Sequence, residues 1–282
     1  LNATAQHLPH KAGVRVTVRD ALTACGWQPK SDVEWAVDWV LTVDDPGFPA
    51  ELQQAKEALP DQSYQWWGAD DLFVVDQRSP RGWARLMDDM TADSVPLSDA
   101  RLRLGTAVRS ISYDCAGASV TTADGSVLTA EQVVVTLPLG VLQRRHASLF
   151  VDPPLPQRHV ALLENSGVVM GNLTHVLLQF EDVWWDNALP RWVSANAGAA
   201  ANRTLAGEFA EWQNLNHASM LPGSHVLLAF LGDPQSSLYE GLGDAEAQAA
   251  AMARLRAQHP RLRIPDPVAF FISRHGYDPL SY

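Results

Sequence analysis

In the stretch VVVTLPLGVLQ, residues Val133 to Gln143, an apolar run stops at a proline and a second apolar run follows. The interpretation of the fold depends on why the first run ends there. Three valines predict a buried strand, and a proline at Pro138 ends the backbone hydrogen bonding of such a strand. A second apolar run follows around Gly140, where the missing side chain lets another group approach the backbone closely. A plain core strand needs no such ending, although an ordinary strand-to-helix turn would also produce it.

The composition is that of a folded, acidic protein. The 282 residues are 46% hydrophobic and 19% charged, which suffices for one large domain or two smaller ones. The net charge of −11 disfavours nucleic acid and anionic membranes as partners, although acidity also serves solubility alone. No apolar run approaches the ~18 residues of a membrane span. We expect a soluble protein, cytoplasmic or secreted; if secreted, its sequons begin at Asn2, Asn172 and Asn202.

Periodicity predicts helices and strands that do not alternate strictly, which indicates an α+β or a complex α/β class. Helices are predicted at 14–27, at 32–43 with Asp32 as N-cap, at 50–58, at 81–90, after the prolines near 153, and at 244–258 with Asp244 as N-cap. Strands are predicted at 72–77 and 102–114, in a hairpin about Asp124-Gly125, onward to Pro138, and at 173–180 and 224–232.

A search for chemical motifs returns little. The chain has no GxGxxG, no Walker loop, no HExxH and no GxSxG. Its nine histidines lack metal-ligand spacing, and its two cysteines do not form a CxxC pair. Ten tryptophans are either core residues or walls of a channel for an organic substrate.

Val133 to Leu142 resembles the stretch that flavin-dependent amine oxidases carry where a strand of the flavin domain ends against the cofactor. This family includes polyamine oxidases and histone lysine demethylases. Further segments resemble the family in its own order, and together they are more specific than any one of them. They are EWAVDWVLTVDD (34–45), FVVDQRSPRGWARLMDDM (73–90), LRLGTAVRSISYD (102–114), LPQRHVALLENSGVVMGNLTHVLLQFEDVWWD (155–186), FAEWQNLN (209–216), GSHVLLAFLG (223–232) and SRHGYDPLSY (273–282).

The resemblance implies part of a two-domain, FAD-linked fold. Residues 1–77 would be the helical part of a substrate-binding domain, and 172–282 its sheet part, which stops before the last FAD-binding segment. Residues 78–171 would be an incomplete FAD-binding domain without its GxGxxG unit. Since the chain begins with Leu1, we expect a fragment. Alone it should bind FAD poorly or not at all and be inactive without the remaining parts of the same polypeptide.

The resemblance also implies a reaction. Family members pass a hydride from the carbon next to an amine nitrogen to flavin N5, and O2 then reoxidises the flavin to give H2O2. A polyamine is the favoured substrate, with an amino-acid oxidase or a demethylase as alternatives. The acidic pair Asp44-Asp45 would attract a polyamine at a channel mouth or lie in a solvated loop. No inserted tower is visible between 1 and 80, which disfavours the demethylases.

The resemblance assigns roles to single residues. The Val108 backbone would contact the adenine part of FAD, and Thr136, Leu137 and Pro138 would lie on the flavin ring. His175 stands where the family has a lysine that holds a water near N5, and His275 where it has a tryptophan near the flavin. The doublet Trp184-Trp185 would line the substrate channel or pack in the core.

The histidines at positions 175 and 275 also allow the interpretation that the protein is not catalytic. His175 could be a polar strand residue with no catalytic role. The chain could equally belong to an inactive homologue that acts as a binding or scaffold protein.

Overall fold

The structure, a computed structural model, describes residues 16–44, 46–55, 83–92, 94–96, 98–164, 168 and 170–281. These residues divide into two compact units. The first unit comprises the described residues of 1–73 and 171–276, and the second comprises those of 74–170 and 277–282. The roles assigned above to 1–77, 78–171 and 172–282 stay predictions. The mixture of sheets and helices confirms the expected α/β or α+β class.

A five-stranded antiparallel sheet forms the centre of the first unit. Its strands lie in the order β6-β7-β8-β5-β9. Their bounds are β5 Thr174–Gln179, β6 Arg191–Val193, β7 Glu211–Asn214, β8 Val226–Leu231 and β9 Ala269–Ile272. The strands predicted at 173–180 and 224–232 are confirmed as β5 and β8, and β5 pairs with a neighbour on each side.

One face of this sheet is the main core. Val176, Leu178 and Trp212 are fully buried and pack in one cluster with Ala251 and Leu255. The last two belong to a helix, Asp244–Gln258, whose predicted range is confirmed. Burying a side chain of this size stabilises a fold by about 1.5–3 kcal/mol, so alternation along β5 fixes which face turns inward.

In the described part of the first unit, four α-helices accompany the sheet. They are α1 Val18–Ala24, α2 Asp32–Thr42, α6 Gln235–Glu240 and α7 Asp244–Gln258. The helix predicted at 14–27 is therefore shorter at both ends. Of the helix predicted at 50–58, the described residues 50–55 lie mostly in turns, and the rest lies outside the described residues.

Both predicted N-caps are wrong by one residue. Ser31 caps α2, because its hydroxyl accepts a hydrogen bond from Glu34 N while the Glu34 carboxylate accepts one from Ser31 N. Asp32 instead accepts hydrogen bonds from backbone N–H groups of a distant loop, at 3.1 and 2.7 Å. The cap of α7 is Gly243, and Asp244 is the first helical residue. Ser31 and Asp32 are equally suitable N-caps by residue type, so the sequence alone does not show which of them precedes the first helical residue.

The second unit contains a four-stranded sheet in the order β3-β2-β1-β4. Its strands are β1 Val108–Asp114, β2 Gly117–Thr122, β3 Val127–Ala130 and β4 Phe150–Asp152. The hairpin about Asp124-Gly125 is confirmed, with Gly125 at a φ of 87°, which glycine adopts freely. The unit's helices are α3 Trp83–Ala92, α4 Leu139–Leu149 and α5 Gln157–Glu164. The first and last confirm the helices predicted at 81–90 and after the prolines.

The prediction that a strand runs on to Pro138 is wrong. Residues 132–138 have no strand pairing in the structure, and Val134 is 86% exposed. An apolar run signals burial, but a strand also needs a neighbour to satisfy its backbone. The described part of the chain offers none here. The strand predicted at 72–77 lies outside the described residues.

Candidate active site

Strand β5, which lies between β8 and β9, presents His175 on the face opposite the main core. Its neighbours Thr174 and Val176 are fully buried, as alternation along a strand requires. Across the sheet, the imidazole meets the ring of Phe230 edge to face, with centroids 5.3 Å apart. On the other side, Ser273 fixes the backbone: His175 N donates to Ser273 Oγ at 2.8 Å, and Ser273 N donates to His175 O at 2.9 Å.

His275 lies close enough to His175 to influence its ionisation. It begins the one-turn 3-10 helix His275–Tyr277, which follows β9. Burial of the imidazole lowers the pKa of His175 below its usual range, and the charge that His275 can carry lowers it further. His175 is therefore neutral at pH 7, and a neutral imidazole both donates and accepts a hydrogen bond. The structure thus brings together two residues that the sequence suggested separately.

A third residue near the pair was not found by sequence reasoning. Glu240, the last residue of α6, is 2% exposed. Its Oε1 accepts from Thr174 Oγ1 at 2.6 Å, and its Oε2 accepts from Gly276 N at 2.8 Å. The partners lie 66 and 36 positions away, so no local motif could have identified it.

Close backbone contacts fix the segment that leads into β5. Asn172 N donates to Gly47 O at 3.2 Å. A side chain on Gly171 would place its Cβ 2.0 Å from the backbone oxygen of Pro46, so only glycine fits without a shift. Asn172 Oδ1 is buried and has no hydrogen-bond partner among the described residues. A buried acceptor of this kind is suited to a donor supplied by a ligand.

The tryptophan doublet lies in the core of the first unit. Trp184 and Trp185 each pack edge to face against Phe180, with centroids 5.7 Å away, and Trp185 is 8% exposed. This is the packing role that the sequence left open. A role in a substrate channel stays a prediction, and the second doublet, Trp66-Trp67, lies outside the described residues.

The residues expected to contact FAD lie in the second unit. Val108 begins β1 opposite Thr122 and packs beside the small core of this unit. Thr136, Leu137 and Pro138 are exposed, and Pro138 stands immediately before α4. Gly140 is buried within that helix. The turn therefore presents Leu137 and Pro138 outward, while Pro138 O accepts a hydrogen bond from Leu142 N at 3.1 Å. Contact of these residues with FAD stays a prediction.

The cavities, the possible metal ligands and the helices outside this site suggest no further candidate site among the described residues. A cavity of about 210 Å³ in the first unit and a cleft of about 780 Å³ in the second are not lined by any predicted site residue. Within the described ranges, histidine, cysteine and acidic residues form no group of three that could hold a metal ion. The helices in those ranges are all too short or too polar to cross a membrane.

Comparisons with known proteins bear on this site. The family of flavin containing amine oxidoreductases matches residues 47–282. Polyamine oxidase 6 of Oryza sativa subsp. japonica is 27% identical over 253 residues, which cover 89% of this chain and 49% of that protein. Lysine-specific histone demethylase 1 homolog 2 of the same plant is 28% identical over 249 residues, which cover 86% of this chain and 30% of that protein.

Solved structures share the fold. A triple mutant of putrescine oxidase with redesigned cofactor binding superposes with a TM-score of 0.67 at 16% identity, covering 95% of this chain and 55% of that one. The wild-type putrescine oxidase bound to putrescine gives a TM-score of 0.62 at 16% identity. This chain spans about half the length of the two rice polyamine oxidases it matches, 49% of one and 51% of the other.

Proposed function

Because the chain belongs to the flavin containing amine oxidoreductases, we propose that it is part of an FAD-dependent amine oxidase. FAD is the cofactor of this family, and when bound it supplies the hydride acceptor that O2 afterwards reoxidises with formation of H2O2. The observation that carries the proposal is His175, held neutral on strand β5 beside the cross-strand ring of Phe230 and within electrostatic reach of His275. The whole protein's activity rests on this chain together with the remaining polypeptide.

His175 would hold a water molecule at the reacting centre. In its neutral form it can accept a hydrogen bond at one ring nitrogen and donate one from the other. Its ring orientation is limited by Phe230 and its backbone by Ser273, so the water would be held at a defined place. Positioning of this kind lowers a barrier without any covalent step by the protein.

The second unit would contribute part of the FAD site. The turn at Thr136, Leu137 and Pro138 would lie against the ring, because these residues are exposed, Leu137 to 38%. The backbone of Val108 would meet the adenine part. In the first unit, the buried oxygen of Asn172, which has no hydrogen-bond partner among the described residues, is available to a donor on the substrate.

The substrate we propose is a polyamine. A chain with a net charge of −11 attracts polycations, and the polyamine oxidases among the relatives point the same way. The relatives that are histone demethylases leave a lysine side chain as the alternative amine. Either substrate must lose its proton to release a hydride, and apolar surroundings such as Phe230 favour the neutral amine.

The test uses the full-length protein. Its visible spectrum should show flavin bands, and anaerobic spermidine or putrescine should bleach them. Readmitted O2 should restore the bands and give H2O2. The variant His175→Ala should slow this reoxidation far more than it weakens substrate binding, because it removes the water's partner and leaves the rest of the sheet intact. Reoxidation at the wild-type rate would exclude His175 from the reaction.

An inactive homologue is the second candidate, and a specific observation favours it. Histidines occupy both positions where the family resemblance places a lysine and a tryptophan, His175 and His275. A protein that purifies colourless and stable, and that takes up no FAD, would support a binding or scaffold role instead.

A further inference from the structure

Glu240 connects the two chain segments that carry the histidine pair. Thr174, which donates to its Oε1, immediately precedes His175. Gly276, which donates to its Oε2, immediately follows His275. Arg274, which immediately precedes His275, donates from Nε to the backbone oxygen of Glu240 at 3.1 Å. One residue thus contacts the chain neighbours of both imidazoles.

The burial of the Glu240 carboxyl group depends on both of these hydrogen bonds. Glu240 is 2% exposed, and among the described residues it forms no ion pair. Burying a carboxyl group without a cation usually destabilises a fold relative to an apolar side chain of the same volume. An apolar residue at this position would leave both Thr174 Oγ1 and Gly276 N without an acceptor.

The turn is built tightly around this carboxyl group. A Cβ on Gly276 would lie 2.9 Å from Glu240 Oε2 and 3.2 Å from Asn172 Nδ2. An alanine here would therefore push the Glu240 carboxylate away from the backbone N–H. The 3-10 turn that carries His275 is consequently held against the start of β5 rather than free to move along it.

We propose that Glu240 is a positioning residue that fixes the separation of His175 and His275. The proposal rests on the proposed function, in which His175 holds the reactive water. Glu240 does not touch that water in this role. It ties the start of the strand that carries His175 to the turn that carries His275, and so holds the two segments at one distance.

The test is a hydroxyl deletion that changes no charge. Thr174→Val keeps the shape of the side chain but removes the donor to Oε1, and Thr174→Ser restores it. In the full-length protein with 13C-labelled histidine, the NMR titrations of His175 and His275 are assigned from His175→Asn and His275→Asn. With Thr174→Val, the distance between His175 and His275 should grow, and the pKa of His175 should therefore rise toward its ordinary value. Thr174→Ser should titrate as the wild type does.

A matched control separates positioning from general stability. Glu208 also lies in a partly buried network, with Tyr239 and Arg254. Glu208→Gln should lower the thermal midpoint without moving either histidine titration. Gly276→Ala should act like Thr174→Val, because its Cβ displaces the carboxylate. Flavin reoxidation should slow in both site variants by up to about 100-fold, the loss that an ångström of misplacement can cause.

Two outcomes distinguish the proposals. If Thr174→Val and Gly276→Ala lower stability as Glu208→Gln does but leave both histidine titrations unchanged, Glu240 has only a structural role and the inference is overturned. If the titrations shift while His175→Ala still reoxidises at the wild-type rate, the positioning by Glu240 is supported and the role proposed for His175 fails.

Discussion

The ion pair between Arg19 and Asp38 should contribute more to stability than any exposed pair of the first unit. Asp38 is 3% exposed and accepts three hydrogen bonds: two from Arg19, at 2.8 and 2.6 Å, and one from Trp27 Nε1 at 2.8 Å. Asp38→Ala would leave a partly buried guanidinium with only the more exposed Glu51, 3.4 Å away, and a partly buried indole N–H without its acceptor. Breaking a buried pair by removing one partner costs about 3–5 kcal/mol.

A matched variant tests whether burial sets this cost. Arg256 and Asp266 form an equally short pair, 2.7 Å, in the same unit, but the side chain of Asp266 is 85% exposed. Asp266→Ala should cost at most about 1 kcal/mol, since solvent already screens the pair. Urea denaturation followed by tryptophan fluorescence measures both variants. Equal losses in the free energy of unfolding would refute the argument from burial.

Further predictions concern backbone contact and pH. Gly171→Ala should destabilise the first unit by about 1–3 kcal/mol, because its Cβ meets Pro46 O at 2.0 Å; Gly243→Ala, whose nearest atom lies 3.8 Å away, should cost less in the same urea titration. Burial lowers the pKa of both His175 and His259. The unfolded chain then binds more protons as the pH falls through about 6.5, so stability should decrease in that direction. His175→Asn should make thermal midpoints less sensitive to pH below about 6.5, and an unchanged slope would contradict the assigned burial.

The sequence predicts the elements whose signals are local. Alternation places β5 and β8 within two residues, because one face must be buried and the period of two allows only one register. The Asp124-Gly125 turn is equally local, since its geometry depends on one glycine at positive φ. The alanine-rich run of α7 has the right length because no proline or glycine interrupts it.

The remaining features depend on partners far along the chain. Residues 132–138 have the composition of a strand, yet pairing is a property of two segments and cannot be inferred from one. In the sequence, Glu240 resembles an exposed acidic residue at a helix end, and only the structure shows that it is buried and contacts Thr174 and Gly276. The resemblance suggested the two histidines separately, and only the pairing of β9 with β5 brings the segments that carry them together.

The tie between Thr174 and Glu240 has a consequence for carbohydrate attachment. Thr174 is fully buried and its hydroxyl is engaged, while Asn172 Nδ2 lies beside Gly276. An oligosaccharide on Asn172 would have to occupy the space of this turn, so the folded sheet excludes it. Asn202 is exposed, and a sugar transferred there meets no such obstacle. Of these two acceptor asparagines, only Asn202 is compatible with both a glycan and the native strand pairing.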